Sequence, residues 1–218
     1  MHWVSDFVGS TIGKKILMAV SGVGLVGFLV AHLTGNLLVY KGPEAMNAYG
    51  AQLHALPALL WTLRLGMITL VGIHVWASTQ LTLANRAARP VGYRAVESDA
   101  STYASRTMWW SGPLLLGFLI YHLLHFTTGH VHPDFVPGDV YSNFVLGFQV
   151  PWTSTFYIVS MLALGLHLRH GVSSMLQTVG LSHPRYNHLR LAAATLVSSV
   201  IVAGNITFPV AVLTGFVK

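Results

Sequence analysis

Twelve histidines stand in a chain of 218 residues that carries only six acidic residues and no cysteine. Without cysteine the chain forms no disulfide, thiolate zinc site, iron–sulfur cluster of its own or CxxCH haem attachment. Imidazole is therefore the side chain on which metal chemistry would rest. Seven histidines fall inside long uncharged runs, and four of them (His32, His74, His122 and His167) lie deep within expected helices, where an ionisable group is costly and points to a function.

Those runs define the elements that must position the histidines. Charged residues make up 8% of the chain, against about a quarter in a soluble domain. No Asp, Glu, Lys or Arg occurs in residues 16–40, 65–85, 107–133, 140–168 or 191–217. About 20 mostly apolar residues cross a bilayer as a helix, so the sequence predicts an all-α bundle of five transmembrane helices in a single domain, 1–218. The expected spans are 16–40, 58–84, 107–128, 152–175 and 189–213, with Pro113, Pro151 and Pro209 near their ends. The first run is too long for a signal-peptide core and lacks a small-residue cleavage site, so it is expected to stay.

Basic residues set the expected orientation. Lys14, Lys15, Arg86, Arg89, Arg94, Arg106, Arg169, Arg185 and Arg190 fall on one side. Lys41, Arg64 and Lys218 fall on the other, with Glu44, Asp134 and Asp139. The positive-inside rule places the N-terminus in the cytoplasm and the C-terminus outside, a multi-pass protein of the cytoplasmic (inner) membrane in contact with lipid. The net charge of +6 is this topology signal, and nucleic-acid binding is not expected. Residues 42–57 are expected to form a short helix along the outer interface. The connection around His130, His132, Pro133 and Asp134 is expected to be a long outer loop.

Depth then pairs the histidines. His32 and His122 lie about 24 and 22 Å along outward-running helices, and His74 and His167 about 24 and 22 Å along inward-running ones. One pair shares a level in the outer half and the other a level in the inner half, separated by about 15 Å. Two axial imidazoles saturate a non-covalent b-type haem for electron transfer, and such sites are built from inward-facing side chains of facing helices. A single membrane histidine is explained by a hydrogen bond between helices; four, matched pairwise in depth, are not. Two haem b groups are the expectation. His125 and His170 each lie one turn from a candidate on much the same face, but depth matching prefers His122 and His167. Arg169 and His170 either neutralise inner haem propionates or are interfacial. Gly35, Gly72, Gly117, Gly165 and Gly171 either admit a flat macrocycle or only allow close packing. His2, His54, His130, His132, His183 and His188 lie outside the spans and are expected to be solvated.

The runs Phe28-Leu29-Val30-Ala31-His32, Lys41-Gly42-Pro43-Glu44-Ala45-Met46-Asn47 and Leu56-Pro57 resemble the start of the five-helix, di-haem cytochrome b subunit of the succinate dehydrogenase/fumarate reductase family. Phe156-Tyr157-Ile158-Val159 and Leu166-His167-Leu168-Arg169-His170-Gly171 are similar to its fourth helix, and the resemblance covers the chain from about Lys15 to the fifth helix. It implies His32 and His122 as ligands of the outer haem, and His74 and His167 of the inner one. It further implies a membrane anchor that binds an iron–sulfur subunit and, through it, a flavoprotein that interconverts succinate and fumarate. Electrons then pass to or from a quinone, usually menaquinone, and this chain alone performs no dicarboxylate chemistry. Some fumarate-reducing relatives place a glutamate two residues before the fourth-helix ligand. Here Gly165 stands there, and no acid lies in the spans, which favours succinate oxidation. His54 stands where several relatives carry an acid, and with Asn47 and Tyr49 it forms the candidate quinone site; an ordinary interfacial His54 is the alternative. The competing readings are a haem-bearing subunit of a hydrogenase, formate dehydrogenase or nitrate reductase, and a transporter or scaffold using histidines as a proton relay.

Overall fold

The computed structural model describes residues 2–88, 103–132 and 134–218. Helices α1 (His2–Gly9), α2 (Thr11–Asn36), α3 (Pro43–His54), α4 (Pro57–Ala87), α5 (Tyr103–Arg106), α6 (Met108–His122), α7 (Val140–Gln149), α8 (Pro151–Thr178) and α9 (Asn187–Leu213) follow in order. A 3-10 turn, Leu37–Lys41, extends α2, and a π turn, Leu123–Thr127, extends α6. No strand occurs among the described residues.

Local chemistry sets the boundaries. Ser10 separates α1 from α2: its Oγ accepts from Gly13 N at 2.9 Å, satisfying one of the free amides of a helix start. Prolines open α3, α4 and α8 in the first turn, where a missing N–H costs nothing. Gly42, at φ +93°, makes the reversal between the 3-10 turn and α3.

α8 is the hub, packed against α9, α6 and α2, while α4 lies along α2. No extensive backbone packing joins α4 to α6 or to α8 among the described residues. α2 thus joins the two pairs by packing on α8, and α4 meets α8 through side chains such as His74 and His167. Three helical segments (Thr11–Lys41, Pro57–Ala87 and Asn187–Leu213) are long and apolar enough to cross a membrane. α8 is as long but carries Thr153, Ser154, Ser160, His167, Arg169 and His170. The 15 residues of α6 reach about 22 Å, short of a core of about 30 Å, before the π turn continues them.

Two expectations are corrected. The third connection is more than a loop, because α7 lies within it and buries Phe144, Val145, Gly147 and Phe148. Asp139 caps α7 by accepting from Ser142 N at 3.1 Å, and Pro151 ends the connection by starting α8. The hydrophobic core gathers there, with Leu33, Val39, Met46, Tyr157, Phe208, Ala211 and Val212 around Phe144 and Phe148. His132 is buried, not solvated: a ring nitrogen, Nε2, meets Asn143 O at 2.9 Å, and the other accepts from Asp134 N at 3.3 Å. His2, His54, His130, His183 and His188 are exposed as expected. The short helix expected in 42–57 is α3. Arg89, Arg94 and Pro133, named above for topology and for the loop, lie outside the described residues.

Candidate functional site: two levels of facing imidazoles

Four helices bring the four histidines together as two facing pairs. The rings of His32 on α2 and His122 on α6 have centroids 5.7 Å apart; those of His74 on α4 and His167 on α8 are 6.3 Å apart. A metal between two imidazoles sits about 2 Å from each nitrogen, which sets the ring centroids about 6 Å apart. Both ring separations are close to that value, and all four histidines are partly buried.

A signal in the sequence, not used above, explains why the pairs match. Ser21-Gly22-x-x-Leu25-x-Gly27-Phe28-Leu29-x-x-His32 on α2 recurs as Ser111-Gly112-x-x-Leu115-x-Gly117-Phe118-Leu119-x-x-His122 on α6. Gly72-Ile73-His74 on α4 is matched by Gly165-Leu166-His167 on α8. The two helix pairs are thus a quasi-repeat, and each facing couple joins equivalent residues of its halves. The phenylalanines are equivalent too: Phe28 lies 5.3 Å from His32 and Phe118 5.9 Å from His122, ring to ring.

Serine and histidine in each repeat are 11 residues apart, three turns plus about 20°, so they share a face and lie about 16 Å apart along the axis. The serines consequently reach the other level. Ser21 Oγ is 3.2 Å from His74 Nδ1, and Ser111 Oγ is 3.3 Å from His167 Nδ1. Each contact stays within its own half of the repeat. At the first level His122 Nδ1 meets the Tyr157 hydroxyl at 3.3 Å, and His32 Nε2 accepts from Asn36 Nδ2 at 3.2 Å.

The one-turn alternatives are separated by packing. His125 is held by other partners: it is 2% exposed, its Nδ1 meets the Tyr157 hydroxyl at 3.1 Å, and it stacks on His132 at 5.0 Å. Arg169 donates through Nε to Thr195 Oγ1 of α9 at 3.2 Å, about 200° around α8 from His167. His170 is partly buried, about 60° from His167 around the helix. Of the five glycines, Gly35 and Gly165 are packing glycines. An added Cβ would lie 2.9 Å from the Tyr49 ring at the first and 2.9 Å from Val202 Cγ2 at the second. At Gly72, Gly117 and Gly171 an added Cβ meets no other residue within 4 Å, so space is open there.

The three quinone candidates are placed differently from one another. Asn47 is used at both ends: its Nδ2 donates to Asp139 Oδ1 at 3.0 Å and its Oδ1 accepts from Tyr141 N at 2.9 Å. Hydrogen bonds from the Ser142 hydroxyl, the Asn47 amide and the Ser142 backbone hold the Asp139 carboxyl below the usual carboxylate range. Tyr49 is exposed beside Gly35. His54 is exposed, with Nδ1 on Gly50 O at 2.9 Å and Nε2 directed elsewhere.

Fold and site together define an all-helical bundle with three helices long and apolar enough to cross a membrane and two close imidazole pairs. No family model, curated protein or solved structure matches the chain. No group of three or more His, Asp or Glu converges among the described residues. A bis-imidazole centre takes only two protein ligands, so it is untouched by that count.

Proposed function

We infer that the chain is the membrane-anchor cytochrome b subunit of a succinate:quinone oxidoreductase, a five-span protein of the cytoplasmic membrane with its N-terminus inside. The single observation that carries this reading is the pair of facing imidazoles at each of two levels, 5.7 and 6.3 Å apart. When bound, two haem b groups would supply one-electron transfer between these levels. His32 and His122 would hold the outer group, and His74 and His167 the inner one. Phe28 and Phe118 pack against the outer ligands. His170 lies nearest in rotation to the inner ligands as a partner for propionates, whereas Arg169 is committed to Thr195.

The charge distribution supports the topology. Lys14, Lys15, Arg86, Arg106, Arg185 and Arg190 lie at the end of the bundle that carries α1 and α5. That face docks the iron–sulfur subunit, which carries the flavoprotein. Quinone, in this branch menaquinone, is bound at the opposite end, where His54 is exposed with Nδ1 on Gly50 O and the Tyr49 ring lies against Gly35. An outer quinone site gives the second level a purpose, since electrons from a cytoplasmic cluster must cross the bilayer to reach it. Outward electron movement runs with an inside-negative potential, by about 2.3 kcal/mol per 100 mV. At Gly165 a larger side chain meets Val202, so no carboxylate stands beside the inner ligand, which favours succinate oxidation.

Dithionite-reduced-minus-oxidised spectra of the purified complex test the reading. Two b-type haems per chain are expected. His32→Ala and His122→Ala each lose one of them, and His74→Ala and His167→Ala each lose the other. A wild-type protein without a Soret band refutes the haem reading, and loss of the same haem in His32→Ala and His74→Ala refutes the pairing. A haem redox change driven by succinate separates this complex from hydrogenase-type relatives.

A further inference from the structure

We propose that Ser21 and Ser111 are the positioning residues of the His74/His167 centre, each fixing the orientation of its histidine through Nδ1, with Ser21 leaving Nε2 of His74 as the nitrogen offered to a metal. This inference rests on the bis-imidazole reading. Ser21 is 1% exposed, and its hydroxyl proton is used within α2, donated to Leu17 O at 2.8 Å with Met18 O at 3.1 Å. Only a lone pair is left to face His74 Nδ1 at 3.2 Å, so Nδ1 carries the imidazole proton. A neutral imidazole protonated at Nδ1 has its lone pair on Nε2, the nitrogen that can ligate. Ser111 is fully buried and stands 3.3 Å from His167 Nδ1, at the equivalent place of the second half.

A mid-helix serine that bonds back to its own turn, as Ser21 does, gains the helix nothing. In both halves the serine stands where it meets the imidazole of the following long helix. Its effect is transmitted through the ring: an acceptor on Nδ1–H makes Nε2 a stronger donor and favours the oxidised metal. Outer-shell partners of this kind typically change metal affinity 10- to 100-fold. The outer pair is held differently, by Tyr157 on His122 and Asn36 on His32, so the serines address one centre only.

The test is haem content and redox titration of the purified complex for Ser21→Ala, Ser111→Ala and Ser21→Thr. Ser198→Ala serves as control, a buried α9 serine whose hydroxyl bonds Thr195 O at 3.0 Å. The inner haem is identified as the one lost in His74→Ala. Ser21→Ala is expected to raise the midpoint potential of that haem alone, by about 59 mV for a tenfold loss of preference for the oxidised state, or to lower its occupancy 10- to 100-fold. Ser111→Ala acts on the same haem, Ser21→Thr restores the wild-type value, and Ser198→Ala changes neither. If both alanine variants keep two haems at wild-type occupancy and potential, the positioning role is overturned while the bis-imidazole reading stands. If the wild-type protein holds no haem, that reading falls and the positioning role falls with it.

Discussion

Replacing Asn47 by alanine separates a structural clamp from a quinone ligand. The amide ties α3 to α7 through two bonds: Nδ2 to the Asp139 carboxylate at 3.0 Å and Oδ1 from the Tyr141 amide at 2.9 Å. A hydrogen bond to an ionised group contributes about 1.5–3 kcal/mol and a neutral one about 0.5–1.5. Both are only part-buried, so the lower half of the summed range applies, about 2–3 kcal/mol. For a chain of this size that is a fall of about 4–12 °C in Tm. Thermal unfolding of the detergent-solubilised complex, followed by far-UV circular dichroism, reads it directly. Asn47→Asp is expected to be at least as damaging, because it keeps an acceptor for Tyr141 N but sets a second carboxylate against Asp139. An Asn47→Ala protein with wild-type Tm and impaired quinone turnover would refute the clamp and return Asn47 to the quinone site.

Three further outcomes follow from the same packing. Gly147→Ala drives a Cβ to 2.8 Å from Phe126 Cε1 and 2.9 Å from His125 Cε1. Overpacking of about 1–3 kcal/mol, less about 0.5–1 gained by replacing a helix glycine, leaves a net loss of stability in equilibrium unfolding; a gain would show that α7 shifts freely. Because the Asp139 carboxyl is held below its ordinary value, its contribution is present above the unfolded carboxylate value of about 3.9 and is lost as pH falls through the folded one. Hydrogen exchange at α7 is therefore expected to accelerate below about pH 4 in the wild type, with a flatter profile in Asp139→Asn. Ser10→Ala removes the cap of α2 at a cost of about 1 kcal/mol, seen as faster amide exchange at Gly13 with the rest of α2 unchanged.

The uncharged runs made the long helices legible in the sequence, because an apolar stretch of some twenty residues has few other ways to satisfy its backbone. α4 and α9 fall within a few residues of the expected spans for that reason, and residues 42–57 contain α3 as expected. The histidines that depth counting set at one level stand ring to ring, 5.7 and 6.3 Å apart, since rise per residue depends on the backbone alone. It had no means to foresee α7. The run that contains α7 continues past Pro151 into α8, and only tertiary packing turns Phe144 and Phe148 into a core. Nor could hydropathy bury His132, stack His125 on it or bring Arg169 to Thr195, because rotation about a helix is set by what each face meets. The repeated Ser-Gly-x-x-Leu-x-Gly-Phe-Leu-x-x-His run was in the sequence throughout. Its meaning appears only when α4 and α8 bring His74 and His167 alongside, since a serine sixteen ångströms below one histidine acquires a partner from another helix. Composition and periodicity decide which segments are helices and how deep a residue lies; only the arrangement of helices decides which rings meet and which partners their nitrogens find.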